Sequence, residues 1–281
     1  LIATRSGARV VDAQGAVDVV DLYVHAGDVD TASGNLESRG CIEIGRDVAN
    51  AMRVRATGDI RIGGTVDGGR VEAGGSVEIR GGAIGRESGI VRAEGDLHVR
   101  HALGIRLYAK GLLTVDRSVS TSRLHACQIE VAGQVLSESI TAEELIRAQS
   151  AGSPSGSPCR LRVAIPLKPE DFDPSLRPAT LGGPVPARSK SPLGRSGRKR
   201  ASRRSRDSSR ATATSLELRI AWRKRQKALL RHARIQIDGT AHAGCLIEIG
   251  TAKYVLERDV QQQTYRLDPE TGKIVSRENQ S

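Results

Sequence analysis

Five carboxylates, Asp59, Glu72, Glu78, Glu94 and Asp96, alternate with Arg55, Arg61, Arg80 and Arg92. Paired carboxylates at a fixed separation serve glycosidic cleavage, and clustered aspartates hold calcium. Either chemistry on a sugar polymer also needs rings to stack on, and the chain has one Phe, one Trp and four Tyr. Acids and arginines interleaved in this way are the composition of a solvated, salt-bridged surface. His98 and His101, spaced HxxH, and His125 with Cys127 have the residue types of metal ligands. His98, however, stands between Leu97 and Val99 in a slot that neighbouring units fill with Arg61 or Glu78, which is a surface position. Cys127 and Cys41 fall at or beside positions that otherwise hold glycine, where small size suffices as an explanation. Gly63-Gly64 and Gly68-Gly69 lack the Gly-Lys-Ser/Thr ending of a phosphate cradle and read as turns. No Ser-His-Asp set stands out. The expectation is a chain with no catalytic, cofactor-binding or metal-binding residues, and no cofactor.

The elements that carry these residues repeat. Val54-Arg-Ala-Thr-Gly58-Asp-Ile-Arg-Ile62 is followed by Val71-Glu-Ala-Gly-Gly75-Ser-Val-Glu-Ile79, Val91-Arg-Ala-Glu-Gly95-Asp-Leu-His-Val99 and Leu107-Tyr-Ala-Lys-Gly111-Leu-Leu-Thr-Val115. An earlier copy centres on Gly40, and weaker later ones on Cys127 and Glu144. Within a unit the residues two and four away from the centre are apolar and the intervening ones polar, the alternation of a strand with one buried face. A further apolar position follows about eight residues on, at Val48, Val66, Ala83, Leu103 and Val119. Three short faces per unit describe a triangular coil, and stacked coils a single-stranded parallel β-helix of about seven turns. A β-sandwich of evenly spaced hairpins would not return Ala56, Ala73, Ala93 and Ala109 at the same offset. A narrow interior of small and β-branched side chains also accounts for the scarcity of rings. The six-residue spacing of Val54, Ile60 and Val66 is shared with left-handed hexapeptide helices, so the pattern alone leaves the hand open. Solenoid ends need caps, and the turn-rich Ser33-Gly34-Asn35 and Ala151-Gly152-Ser153-Pro154 are the expected boundaries.

The net charge of +11 is unevenly distributed. Arg177 to Arg234 holds 18 Lys and Arg against Asp207 and Glu217, while the rest holds 25 basic and 30 acidic side chains. Within the Pro-, Ser- and Arg-rich stretch 166–214, residues 195–206 have no apolar side chain except Ala201, too little to offset the entropy of ordering. This stretch is predicted to be a disordered linker. Arg195, Arg198, Lys199, Arg200, Arg203, Arg204 and Arg206 are the candidate contacts to an acidic partner: nucleic acid or anionic lipid, bound weakly and without sequence preference through 188–234. Ser215 is placed to N-cap a basic amphipathic helix, 215–232, whose Leu218, Trp222 and Leu229 share one face. That face suits packing on the tail or another chain, or an anionic membrane surface. Ile235-Gln-Ile-Asp-Gly239 and Leu246-Ile-Glu-Ile-Gly250 return to the strand–glycine pattern. The predicted division is a lead-in at 1–32 (read as truncated, since the chain opens on Leu1), a β-helix at 33–165, the linker, the helix, and a C-terminal β segment at 233–281. No stretch is apolar for the length of a membrane span. Four scattered cysteines favour free thiols in a reducing compartment.

From Ser33-Gly-Asn-Leu36 through the Val-x-Ala-x-Gly-Asp-Ile repeats to Gly152-Ser-Pro154, the sequence resembles the flagellar assembly protein A (FapA) family. The tail motif Ile235-x-Ile-x-Gly239, Gly244, Ile247-x-Ile-Gly250 is similar to that family's closing segment in the same order. Bactofilins and the C-terminal domain of the division inhibitor MinC use comparable coils. The resemblance implies a right-handed β-helix without a catalytic centre, acting in the cytoplasm in polar flagellar assembly or positioning through contacts with polar or flagellar proteins; self-association of the solenoid, end to end or lateral, is a separate expectation. In place of the long coiled coil usual between β-helix and tail in that family, this chain has the Arg/Ser-rich linker and one helix.

Overall fold

The computed structural model describes residues 8–11, 17–86, 88–137, 139–156, 159–166 and 222–279. The alternating pattern becomes a parallel β-solenoid of about eight turns with three walls. With strands numbered in chain order, wall one stacks β4 (Leu36–Ser38), β6 (Arg53–Ala56), β9 (Arg70–Ala73), β11 (Ile90–Ala93), β13 (Arg106–Ala109), the first parts of β16 (Arg123–Leu136) and β17 (Ser139–Ala151), then β18 (Arg160–Val163) and β20 (Leu246–Ile249). Wall two stacks β3 (Leu22–His25), β5 (Cys41–Ile44), β7 (Ile60–Ile62), β10 (Val77–Ile84), β12 (Leu97–Leu103), β14 (Leu112–Val115), the middles of β16 and β17, and β19 (Arg234–Ala241). Wall three is the narrowest: Val29, Val48, β8 (Val66–Asp67), β15 (Val119–Ser120), and the ends of β10, β12, β16, β17 and β19.

Equivalent residues lie rung over rung. Val54, Val71, Val91, Leu107 and Leu124 are in register and fully enclosed, and so are Ala73, Ala93 and Ala109 two positions on. Neighbouring parallel strands lie about 4.8 Å apart, so each apolar side chain covers the one below. The repeat centres hold glycine for the same reason. A Cβ on Gly40 would come within 2.1 Å of the Asp21 carbonyl oxygen, so the close approach of the rung beneath, not a left-handed φ, fixes this residue.

Two expectations need correction. The third apolar slot of the fourth repeat is Ala102, in register with Ala83 and Val119 and 2% exposed, not Leu103, which is 47% exposed. A register shift between Ile79 and Gly82 moves the slot by one residue, and in a strand that turns a side chain to the opposite face. Stacking also starts before residue 33, with β3 on β5 and Val29 on Val48, so Ser33-Gly34-Asn35 forms a corner rather than an end. Ala151 likewise pairs onward with Ala241.

The end of the solenoid is closed by reversal of strand direction. β21 (Ala252–Val255) pairs antiparallel with β20, β22 (Val260–Leu267) with β19, and β23 (Ile274–Glu278) with β22. Tyr265 of β22 is fully buried against the last rung. Near the other end, β1 (Ala8–Val11) and β2 (Val17–Val20) form an antiparallel hairpin.

Because Leu107 has enclosed neighbours on both adjacent rungs, Leu107→Ala should lower stability by about 2–5 kcal/mol. Chemical denaturation checks this, and a loss below about 1 kcal/mol would show that the slot is not closed.

Candidate functional site

In an ordinary coil, three residues carry the chain from wall one to wall two, as Thr57-Gly58-Asp59 do between β6 and β7. At one corner the chain instead leaves after Val163 and re-enters at Arg234, where β19 resumes wall two directly over β17. β20 then completes wall one over β18. The tail is therefore the continuation of the coil, with residues 164–233 inserted at a corner.

The corner is built for this. β17 carries one residue more than β16 at this point: Ala126 pairs with Ala142 and Gln128 with Leu145, so Glu143-Glu144 sit opposite Cys127 alone. A bulge of this kind redirects side chains. The Glu143 side chain is only 2% exposed, and Arg225 reaches it from outside with a guanidinium–carboxylate distance of 2.6 Å. Arg225 belongs to α1 (222–229), a run of strong helix formers with no Gly, Pro or β-branched residue. Trp222, Gln226, Leu229 and Leu230 are its half-buried residues, at the three-and-four spacing that puts side chains on one helix face. Trp222 donates from Nε1 to the Pro166 carbonyl, 3.3 Å away. Leu229 and Leu230 pack against the buried core. Leu230 also fills the space beside Gly250, where a Cβ would lie 2.6 Å from its Cδ2 and φ is +63°. Burial first, then the Glu144 and Glu143 carboxylates, push the Cys127 thiol up to about 11, with Arg225 opposing them. Gln128 Nε2 donates to Glu144, 3.0 Å away.

Leu218 and the seven basic residues between Arg195 and Arg206 lie outside the described residues. Glu143, Arg225, Leu230 and Pro166 were not singled out from sequence. The one available signal was two glutamates at a repeat centre that elsewhere holds Gly58, Gly75 or Gly95.

Three of the five carboxylates that suggested glycosidic chemistry, Asp59, Glu78 and Asp96, border a shallow depression of about 300 Å³ on wall two, with Arg61, Ser76 and His98, while Glu72 and Glu94 lie elsewhere and pair with Arg70 and Lys110. They are engaged in holding rungs together. Asp59 accepts the backbone N–H of Ser76 and Asp96 that of Leu112, each at 2.8 Å, while Ser76 Oγ accepts the Asp96 N–H. Glu78 pairs with Arg61 and Arg80. His98 is partly exposed, with Nε2 2.8 Å from Asp116 Oδ1. Among the described residues, no group of three His, Cys, Asp or Glu side chains is placed to hold a metal ion. No helix among them is long and apolar enough to cross a membrane. Cys159 and Cys245, both buried, precede paired strands on adjacent rungs and are in side-chain contact, so they line the corner that leads into wall one.

Removing Arg225 leaves the buried Glu143 carboxylate without this partner. Arg225→Ala should cost about 1–2 kcal/mol, less than a fully buried pair because the arginine itself is 59% exposed. It should also speed proteolysis within 222–233, and an unchanged cleavage rate would mean that the pair does not hold the helix. A thiol with a pKa of about 11 is protonated at neutral pH, so Cys127 should alkylate slowly at pH 7 and faster as pH rises towards 11. Glu144→Gln removes a charge that raises this pKa and should accelerate the reaction at pH 8, read by mass spectrometry.

The model of the Flagellar Assembly Protein A beta solenoid domain matches residues 21–171, the coils from β3 through β18. No curated protein and no solved structure matches the chain. With the family model covering more than half of the sequence and the coordinates forming the solenoid it describes, this chain belongs to the FapA family of flagellar assembly proteins.

Proposed function

We propose that the protein is a non-enzymatic scaffold that acts in the cytoplasm, at the cell pole, in assembling or positioning flagella through protein contacts. The observation that carries this reading is the continuity of the solenoid. A helix and a returning tail are built into one rigid body, and its outward carboxylates serve the stacking of rungs. Such a body offers long, flat walls of fixed side-chain spacing, suited to holding partners. The solenoid and the returning tail act as one unit, and 166–214 is a linker looped out of it. Self-association is lateral, since antiparallel strands cover the C-terminal rung and block parallel stacking there. In a polarly flagellated host, deletion of the gene should alter flagellar number or placement, and the full chain should restore it. Normal flagella in the deletion strain, together with no flagellar or polar protein recovered by crosslinking, would rule the scaffold reading out.

A second reading rests on the basic insertion. Arg223, Lys224, Lys227 and Arg231 are exposed, and they continue the positive charge of 188–210 up to the surface of the body. This arm tethers the solenoid to nucleic acid or anionic membrane, while Trp222 and Leu229 face the body. Deleting residues 188–210 should abolish low-salt binding to DNA and to anionic vesicles. Unchanged binding would dismiss the tether.

A further inference from the structure

Two outward columns, the central one of wall two and the leading one of wall one, are filled by different rules, although the column beside the latter (Glu37, Arg55, Glu72, Arg92) also interleaves. On wall two the column Glu43, Arg61, Glu78, His98, Thr114, Glu130, Arg147 is in register, and its acids and bases interleave. This is the pattern expected where neighbouring rungs must only tolerate one another. On wall one the leading residues of successive strands are Arg53, Arg70, Ile90, Arg106, Arg123 and Ser139, with Arg160 one rung further. No acid occurs in this column. Arg53 lies directly over Arg70, and Arg106 over Arg123. Like charges in register repel and cost stability, so the fold gains nothing from this arrangement. Arg70 is paired with Glu72, and Arg106 donates to the Ser88 carbonyl. Arg53, Arg123 and Arg160 are exposed and make no ion pair among the described residues. The field is felt one column inward, where burial first and the Arg70 guanidinium next lower the pKa of Arg92, with Arg106 adding to the effect.

Every base in this column is arginine, whose planar fork grips carboxylate or phosphate in two parallel hydrogen bonds. The column runs from rung to rung along the stack. From Arg53 to Arg160 it crosses six rung steps, about 29 Å at about 4.8 Å each. A double helix would curve away from such a ridge. An unstacked single strand would want a run of aromatic platforms for its bases, and the neighbouring column offers Tyr108, already beneath the Arg92 guanidinium at 5.3 Å, and His125, whose ring lies 6.2 Å from that of Tyr108. An extended peptide needs neither curvature nor rings, and about nine residues at 3.3 Å each span the ridge.

We infer that the arginine ridge at the leading edge of wall one is a docking site for an extended acidic segment of a protein partner. This deepens the scaffold reading by giving one partner its chemistry, but its test is a binding measurement on the purified chain that needs no flagellar phenotype. Because the basic linker would also attract acids, the full chain is used with Arg195, Arg198, Lys199, Arg200, Arg203, Arg204 and Arg206 replaced by Ser. A fluorescent oligo-glutamate of about ten residues, the length set by the ridge, is titrated at low salt and followed by anisotropy. Saturable binding that weakens steeply with salt is expected. Arg53→Glu/Arg106→Glu/Arg123→Glu should weaken it by about tenfold or more (about 1.4 kcal/mol for each factor of ten), and the gentler triple Gln variant by several-fold. Compared at about 0.15 M salt, where the Debye length is about 8 Å, Arg46→Glu/Arg100→Glu/Arg117→Glu, the same charge change at the exposed corner between walls two and three, should alter it less than about threefold. Circular dichroism and melting of each variant show whether the fold is retained, and the Gln variant serves if the Glu variant unfolds. No peptide binding, or equal weakening by the two Glu variants, would overturn the proposal. So would tighter binding of oligo-dT or phosphatidylserine vesicles that the ridge variant abolishes, since the ridge would then be a phosphate site.

Discussion

The register of each rung on the one beneath it governs everything else in this molecule. Because parallel strands bring the same slot of every coil into contact, Val54, Val71, Val91 and Leu107 form one continuous apolar column rather than four separate contacts. A side chain in that column is enclosed by copies of its own slot, and only shapes that stack on themselves fit. Small and β-branched residues satisfy this and rings do not, so the chain has few aromatics and its largest buried ring, Tyr265, lies at the closing end where repetition stops. The corners obey the same constraint. Asp59 and Ser76 each accept a backbone N–H from the next rung, a side-chain ladder parallel to the sheet ladder.

Register also explains why a long insertion is tolerated. The returning strands β19 and β20 find the same slots that an uninterrupted coil would have filled, so the interior does not record that residues 164–233 intervene. The entropic cost of a closed loop rises only logarithmically with its length. What the insertion does need is an anchor at its root. The extra residue at Glu143-Glu144 supplies one by turning a carboxylate towards Arg225, while Trp222 and Leu230 close over the gap.

The inner slots were legible in the sequence because they repeat. Alternation and constant offset identify Ala56, Ala73, Ala93 and Ala109 as one column without any coordinates. Legibility failed where the repeat breaks. The shift after Ile79 placed Leu103 in a slot that belongs to Ala102, since counting residues cannot detect an irregularity that leaves composition unchanged. The bulge at Glu143 was hidden likewise, and its partner Arg225 lies 82 residues away on a helix whose charged side reads only as solvent-exposed. The first rung was missed because Leu22-Tyr-Val-His25 inverts the pattern: Tyr23 and His25 take the inner slots, in register with Ile42 and Ile44, while Leu22 and Val24 face outward.

A solenoid separates the demands on its two kinds of slot more cleanly than most folds. Inner slots are dictated by stacking and leave little freedom, whereas outer slots need only avoid repelling their neighbours. On wall two the signs interleave, as that weak requirement predicts. On wall one the leading column accumulates arginine against the requirement, and the fold alone supplies no reason for it. A departure from electrostatic self-interest at an exposed, rigid, regularly spaced edge is the kind of feature that stability does not produce. In a protein whose family works in assembly, the information for partner choice is therefore most economically carried by the outward slots, where it can change without disturbing the column within.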